Sequence, residues 1–207
     1  KKVKDLRDPE TFYLSVCPCL SYEDESSLHI NSFPHGERSL QVALEGVDDY
    51  DFLIIDCPPA MNALTKMALV ASDGVLVPLR NDLFSFEGLT KMLAESASIK
   101  QRVNQDLSFL GVFFTQDKEN TRLSIQMKQV FSEKLKDNYI PIAIPESVIV
   151  SESTYERIPA NLYKPWSLID LKYRALTGEI MNRLGVETKS KTKLRAQLSG
   201  KEKAGIK

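Results

Sequence analysis

The chain is expected to fold as an α/β protein, with a doubly wound, mostly parallel sheet and helices on both faces. Three observations predict this. Short apolar runs alternate with longer stretches of helical periodicity from Tyr50 to Leu184. The run Phe52-Leu53-Ile54-Ile55 has no polar alternation, as in a strand covered on both faces. It ends in Asp56-Cys57-Pro58-Pro59, and prolines cannot donate to a ladder, so the strand stops there. Asp56 then stands at the carboxyl end of a parallel strand, where open α/β sheets bind ligands. It either caps the turn or serves a Mg²⁺-nucleotide site through water.

In chain order, residues 1 to 10 are charged and contain Pro9, and read as a poorly ordered lead. Thr11 to Val16 and Leu28 to Asn31 read as short strands, with an acidic loop from Ser21 to Ser27 between them. Pro34-His35-Gly36 is a turn. Arg38 to Val47 is a short helix with Leu40, Ala43, Leu44 and Val47 on one face. After the central run, Met61, Leu64, Met67, Ala68 and Ala71 recur at helical spacing. Asp73-Gly74 turns the chain into a buried strand, Val75-Leu76-Val77, stopped by Pro78. Phe86, Leu89, Leu93, Ser96, Ile99 and Val103 mark a long amphipathic helix. Leu107 to Phe114 is the next strand, ending at Thr115. Leu123, Met127, Val130, Phe131 and Leu135 mark the next helix, capped by Asn120 or Thr121. Tyr139 to Ile144 is a strand stopped by Pro145. The last helix follows Pro165, with Ser167 and Asp170 placed as a capping box and Gly185 suited to its C-terminal cap.

Composition sets outer limits. Of 207 residues, 43% are hydrophobic and 27% charged, ordinary for a globular protein. The net charge is −1, so the whole molecule carries no nucleic-acid signature. The stretch from Gly185 holds seven Lys or Arg against two Glu and reads as a basic, disordered or weakly helical tail. Three cysteines, Cys17, Cys19 and Cys57, make no disulfide framework. Cys17, Cys19, His29 and His35 are poorly spaced for zinc, and buried thiols with surface imidazoles are the simpler reading. No apolar run approaches the ~18 residues of a membrane-spanning helix. The chain divides into a lead, 1–49, a core, 50–185, and a tail, 186–207.

From Tyr50 to about Leu184 the chain resembles the ParA/Soj-type partition ATPases, the deviant Walker-type P-loop proteins. Five landmarks carry the resemblance in order. Tyr50-Asp51-Phe52 to Pro59 resembles the Walker B and switch segment. Leu64-Thr65 followed by Ala68 to Asp73 resembles the next helix and turn. Val77-Pro78, Phe84 and Glu87-Gly88-Leu89 resemble the following strand and helix start. Leu110-Gly111-Val112 to Thr115, with Thr121 and Leu123-Ser124, resembles the next pair. Ile144-Pro145 with Ser151-Glu152-Ser153 resembles the late loop that approaches the adenine.

The resemblance implies a P-loop NTPase-like fold, ATP and Mg²⁺ as cofactors, and an ATP-closed dimer that binds DNA and is released by hydrolysis. Asp56 would orient Mg²⁺ through water, and Pro58 would stiffen the segment that senses the γ-phosphate. Thr115 and Gln116 would lie near the base, and Pro145, Glu146 and Ser147 would form the opposite wall. Without that context Thr115 is a strand-end hydrogen bonder and Pro145 a strand terminator. The basic residues nearest the expected DNA face are Lys118, Arg122 and Arg157; Glu146 and Ile149 stand where the family often carries positive charge. Implied partners are a second copy, a ParB-like protein and non-specific DNA, on the nucleoid in the cytoplasm, with no membrane.

One family element is missing from these residues. None of the nine glycines opens a Gly-rich loop with its signature lysines. Such a loop cradles the phosphates with backbone amides and holds Mg²⁺ with its hydroxyl. The chain is therefore expected not to hydrolyse ATP by itself. In the family the strand leading into that loop lies beside the Asp56 strand, so its absence would expose a strand edge and apolar surface. Lys1 in place of Met fits the C-terminal portion of a longer ATPase. A naturally shortened, non-hydrolysing regulator is the alternative. A MinD-like membrane-cycling ATPase ranks last, because the tail lacks the apolar face such anchors use.

Overall fold

A computed structural model describes residues 2–4, 13–17, 35–58, 60–80, 82–119 and 121–186. The Leu28 to Asn31 strand, Cys19, His29, Pro59 and the tail beyond Val186 lie outside them. Two short strands come first. β1 (Lys2–Lys4) pairs antiparallel with β2 (Tyr13–Ser15). The second falls inside the expected strand. The first lies within the stretch read as a poorly ordered lead, whose residues 1 and 5–10 lie outside the described ones. A 3₁₀ turn at Gly36–Arg38 leads into α1 (Ser39–Ala43). That helix is half the length expected. It has no side-chain cap, and Gly46 takes a left-handed turn just beyond it (φ +79).

The core is built from a parallel βαβ unit. α2 (Ala63–Ala71) starts at Asn62, whose side chain accepts a hydrogen bond from Thr65 N at 3.1 Å. Its end is closed from afar: Asn104 Nδ2 donates to the carbonyls of Leu69, Val70 and Ser72. Helices leave their last carbonyls unpaired, and this one amide serves three of them. β3 (Gly74–Leu79) follows and pairs in parallel with β4 (Ser108–Phe114) through α3 (Leu83–Arg102). β3 runs through Pro78 rather than stopping there. Pro78 is exposed, and β4 is the only named strand that β3 pairs with among the described residues, so no ladder bond needs its missing N–H. α3 begins at Asp82, which accepts from Ser85 N at 2.7 Å. Its predicted stripe is half met and half modified: Leu89, Ser96 and Ile99 are buried, whereas Phe86 is exposed.

α4 (Arg122–Leu135) is capped by Thr121, as expected. The run 139–145 then lies parallel to β4 without forming a full strand. It makes two isolated bridges, Val112 with Tyr139 and Asp117 with Pro145, and Ile140 N and Ile144 N donate to Val112 O and Phe114 O. Pro141 and Pro145 remove donors from that short run, which breaks the ladder. α5 (Val148–Tyr155), α6 (Ala160–Tyr163) and α7 (Leu168–Arg183) follow. Ser167 accepts from Asp170 N, and Gly185 closes the end at φ +71.

Alternation along β4 assigns the layers. Val112 and Phe114 pack with Leu79, Leu89, Phe131 and Tyr139 on the α3–α4 side. Phe113 packs with Ile140, Ile144, Ile169 and Leu176 on the α7 side. A third cluster, Leu69, Val70, Val75, Ile99 and Leu107, joins α2 and α3 to the sheet. Helices thus cover both faces of a parallel sheet, the doubly wound arrangement expected. Phe114 and Phe131 meet edge to face at 4.9 Å, and burying each ring contributes about 1.5–3 kcal/mol.

The central run departs most from expectation. Residues 52–58 belong to no strand. Phe52, Leu53 and Ile54 are 49%, 52% and 92% exposed. A run becomes a strand only when a neighbouring strand takes its N–H and C=O groups, and no described strand does so here.

Tyr139 gives the fold an alkaline limit. Burial, and then the charge of Asp117, push its phenol from 10.0 up to about 12. The folded pKa is raised, so this contribution is whole below the unfolded value and is lost as pH rises toward the folded one. Stability is expected to fall by about 1.4 kcal/mol per unit between roughly pH 10 and 12. Tyr139→Phe should remove most of that slope in melting temperatures taken across the range; an unchanged slope would place its origin elsewhere.

Candidate functional site

The carboxyl ends of β3, β4 and the 139–145 run come together. Thr115 N donates to Leu79 O at 2.8 Å, and Ile144 N to Phe114 O at 2.8 Å. Beyond them the chain knots once more: Asp117 N donates to Ile144 O at 3.0 Å, and Glu146 N returns to Asp117 O at 3.1 Å. Gln116 sits between these bonds in the left-handed region, at φ +51. Non-glycine residues there are uncommon and hold a tight turn. Ser147 Oγ accepts from Ile149 N and caps α5. Thr115, Gln116, Pro145, Glu146 and Ser147 therefore share one rim at the end of the sheet.

The residue that organises this rim is Asp117, which sequence reasoning passed over. It is 2% exposed. Oδ1 accepts from Ser124 Oγ at 2.6 Å, and Oδ2 pairs with Lys128 Nζ. Both partners come from α4, four residues apart on one helical face. One carboxylate thus ties α4 to β4, while its own peptide groups grip the loop after Ile144. The available signal was the i, i+4 pair Ser124 and Lys128, polar residues beside the apolar stripe of Met127 and Phe131.

Of the other expected site residues only Lys118 reaches the rim, through Glu146. Asp56 and Pro58 are exposed, in the unpaired 52–58 stretch. Beside them Cys57 is also exposed; partial desolvation first, and then the charge of Asp56, hold its thiol above the ordinary value. Among the described residues no group of three or more His, Cys, Asp or Glu is placed to hold a metal ion. Lys118 faces Glu146 at 3.6 Å, an exposed pair worth little. Arg122 opens α4 and Arg157 follows α5 at φ +57; both are exposed, on separate elements. No helix among the described residues is long and apolar enough to cross a membrane.

A family model described as an AAA domain matches residues 15–109. The fold is similar to that of McdA from Cyanothece in an ATP complex, at TM-score 0.66 and 19% identity, over 79% of this chain and 63% of that one. The parallel sheet, its strand-end rim and these matches define a P-loop NTPase-like α/β fold. Soj from Bacillus subtilis, a sporulation initiation inhibitor, is 36% identical over 132 residues, 63% of this chain and 52% of Soj. The chromosome partitioning protein ParA of Myxococcus xanthus is 30% identical over 185 residues, 88% of this chain and 65% of that protein. The chain belongs to the ParA/Soj-type family. It spans between about half and two thirds of the length of these curated relatives, 52% and 65%.

Proposed function

We propose that the chain is the C-terminal portion of a ParA-like ATPase that partitions plasmids or chromosomes through nucleotide-dependent dimerisation and non-specific DNA binding. The observation that carries this reading is the rim. Thr115, Gln116, Pro145, Glu146 and Ser147 meet at the carboxyl ends of parallel strands, where such sheets bind ligands. Relatives named for chromosome partitioning support the cellular role.

The residues present fit ATP and Mg²⁺ only in part. The rim offers backbone and hydroxyl groups to a base, and Asp56 offers one carboxylate to a hydrated cation. The sequence carries no Gly-rich loop with signature lysines to cradle phosphates, so these residues would hold the base without the phosphates. Lys118, Arg122 and Arg157 would contribute phosphate contacts to DNA, each worth about one released counterion. A ParB-like protein would be the activating partner, and the working site would be the nucleoid in the cytoplasm. The three-part division into lead, core and tail belongs to the same proposal. The alternative, a shortened regulator without catalysis, rests on the same missing cradle.

Calorimetry of Mg²⁺-ATP with the 207-residue chain, beside Asp56→Ala, tests this. Binding no tighter than about millimolar is expected. Micromolar binding abolished in Asp56→Ala would reveal a phosphate site built from other residues and overturn the reading of an incomplete one.

A further inference from the structure

The pair formed by Asp117 and Lys128 lies beneath the strand-end rim. The Asp117 side chain is wholly buried, and Lys128 reaches it from α4 while its own side chain stays 29% exposed. The carboxylate sits beside the aromatic cluster: its charge helps to raise the phenol of Tyr139, which packs with Phe114 and Phe131. A buried ion pair of this kind adds little net stability, because desolvation offsets the attraction. What it fixes is one geometry, and here that is the geometry of the turn above it. Asp117 N donates to Ile144 O, and Asp117 O accepts from Glu146 N. The residue whose side chain α4 holds is therefore also the one whose peptide groups join the two walls of the rim. On the other side Thr115 N is fixed to Leu79 O. Gln116 stands exposed between these anchors at φ +51. A residue with a Cβ is strained there, and the conformation persists only while its neighbours are held.

We propose that Lys128 is a positioning residue for the base at this rim. Its ammonium keeps the Asp117 carboxylate seated, and Asp117 keeps the Gln116 turn in the one shape that meets a planar base. Lys128 acts through Asp117 alone. The inference rests on the reading of the rim as a base site and adds to it the control of that site from α4.

Saturation-transfer NMR of adenosine with the full 207-residue chain is the test, because a nucleoside needs no phosphate cradle. Lys128→Met should weaken binding by about threefold or more, and Lys128→Arg, which keeps the charge, should restore most of it. Lys128→Met leaves a buried carboxylate without its cation. Asp117→Asn with Lys128→Met is therefore the second variant: it removes both charges, keeps an acceptor for Ser124, and should show the same loss of affinity with the fold verified by circular dichroism. Lys66→Met breaks an ion pair of 3.0 Å between α2 and α3 and should leave affinity unchanged. Wild-type affinity in the folded double variant, or faster hydrogen exchange at the Asp117 amide with adenosine binding unchanged, would give the pair a structural role only and overturn the proposal. Absence of transfer to adenosine in the unaltered chain would overturn the base site itself, and the proposal with it.

Discussion

Gly111→Ala is expected to cost the fold about 3 kcal/mol or more. β3 and β4 slip register where Val75 faces Phe109 but Leu76 faces Gly111, so Leu110 is an extra residue. Gly111 makes that bulge at φ +131, which an L side chain adopts only at about 1–3 kcal/mol of strain. A methyl there would stand 2.8 Å from Arg183 Nη1, 2.9 Å from Asn138 O and 3.1 Å from Ile140 Cγ1. Two of those neighbours cannot yield cheaply. Asn138 O is backbone, and Arg183 is fixed by bonds to Leu110 O at 2.8 Å and Asp137 O at 2.7 Å. Urea unfolding measures the loss. A change below about 1 kcal/mol would mean that the bulge relaxes freely and that Arg183 is not a fixed neighbour.

Asp117→Ala is expected to cost about 2–4 kcal/mol and to loosen the strand-end rim first. Breaking a buried pair costs more than the pair contributes, because its partner is left uncompensated. Here the two partners differ. The Lys128 side chain is 29% exposed and can turn to water. Ser124 is fully buried and loses the acceptor of its hydroxyl. Asp117→Asn keeps an acceptor and should cost roughly half as much. Hydrogen exchange at the Glu146 amide gives the local readout, since that amide donates to Asp117 O. A global loss of stability with Glu146 protected as before would show that the carboxylate does not hold the loop.

Particular residues show why parts of this were legible in the chain and others were not. The stripes of α3 and α4 and the caps Thr121 and Ser167 are local patterns, set by helical period and by orphan N–H groups, and sequence carries both. The rim was legible because apolar runs ending at Thr115 and Pro145 in a parallel sheet must finish on the same side. Phe52 to Ile55 was misread because a strand is a relation between two segments, and composition describes only one. Pro78 was misread as a stop for the complementary reason: on an edge its missing donor costs nothing. Asp117 was invisible because its partners lie 7 and 11 residues away, on an element whose rotation only packing determines. Asp56 was legible as a motif, but its position in a site was not, because it lies in the stretch without a strand partner.

Arg183 adds a matter of timing. Its guanidinium takes carbonyls of residues 73 and 46 positions earlier in the chain. At about 5–20 residues per second of synthesis, the strand around Leu110 waits roughly 4 to 15 s for the side chain that closes its bulge. Through that interval the nascent sheet has one face without α7. A ribosome that stalls before residue 183 would hold a chain whose βαβ unit is formed but not fastened, so the last turn of α7 decides when this sheet is secured.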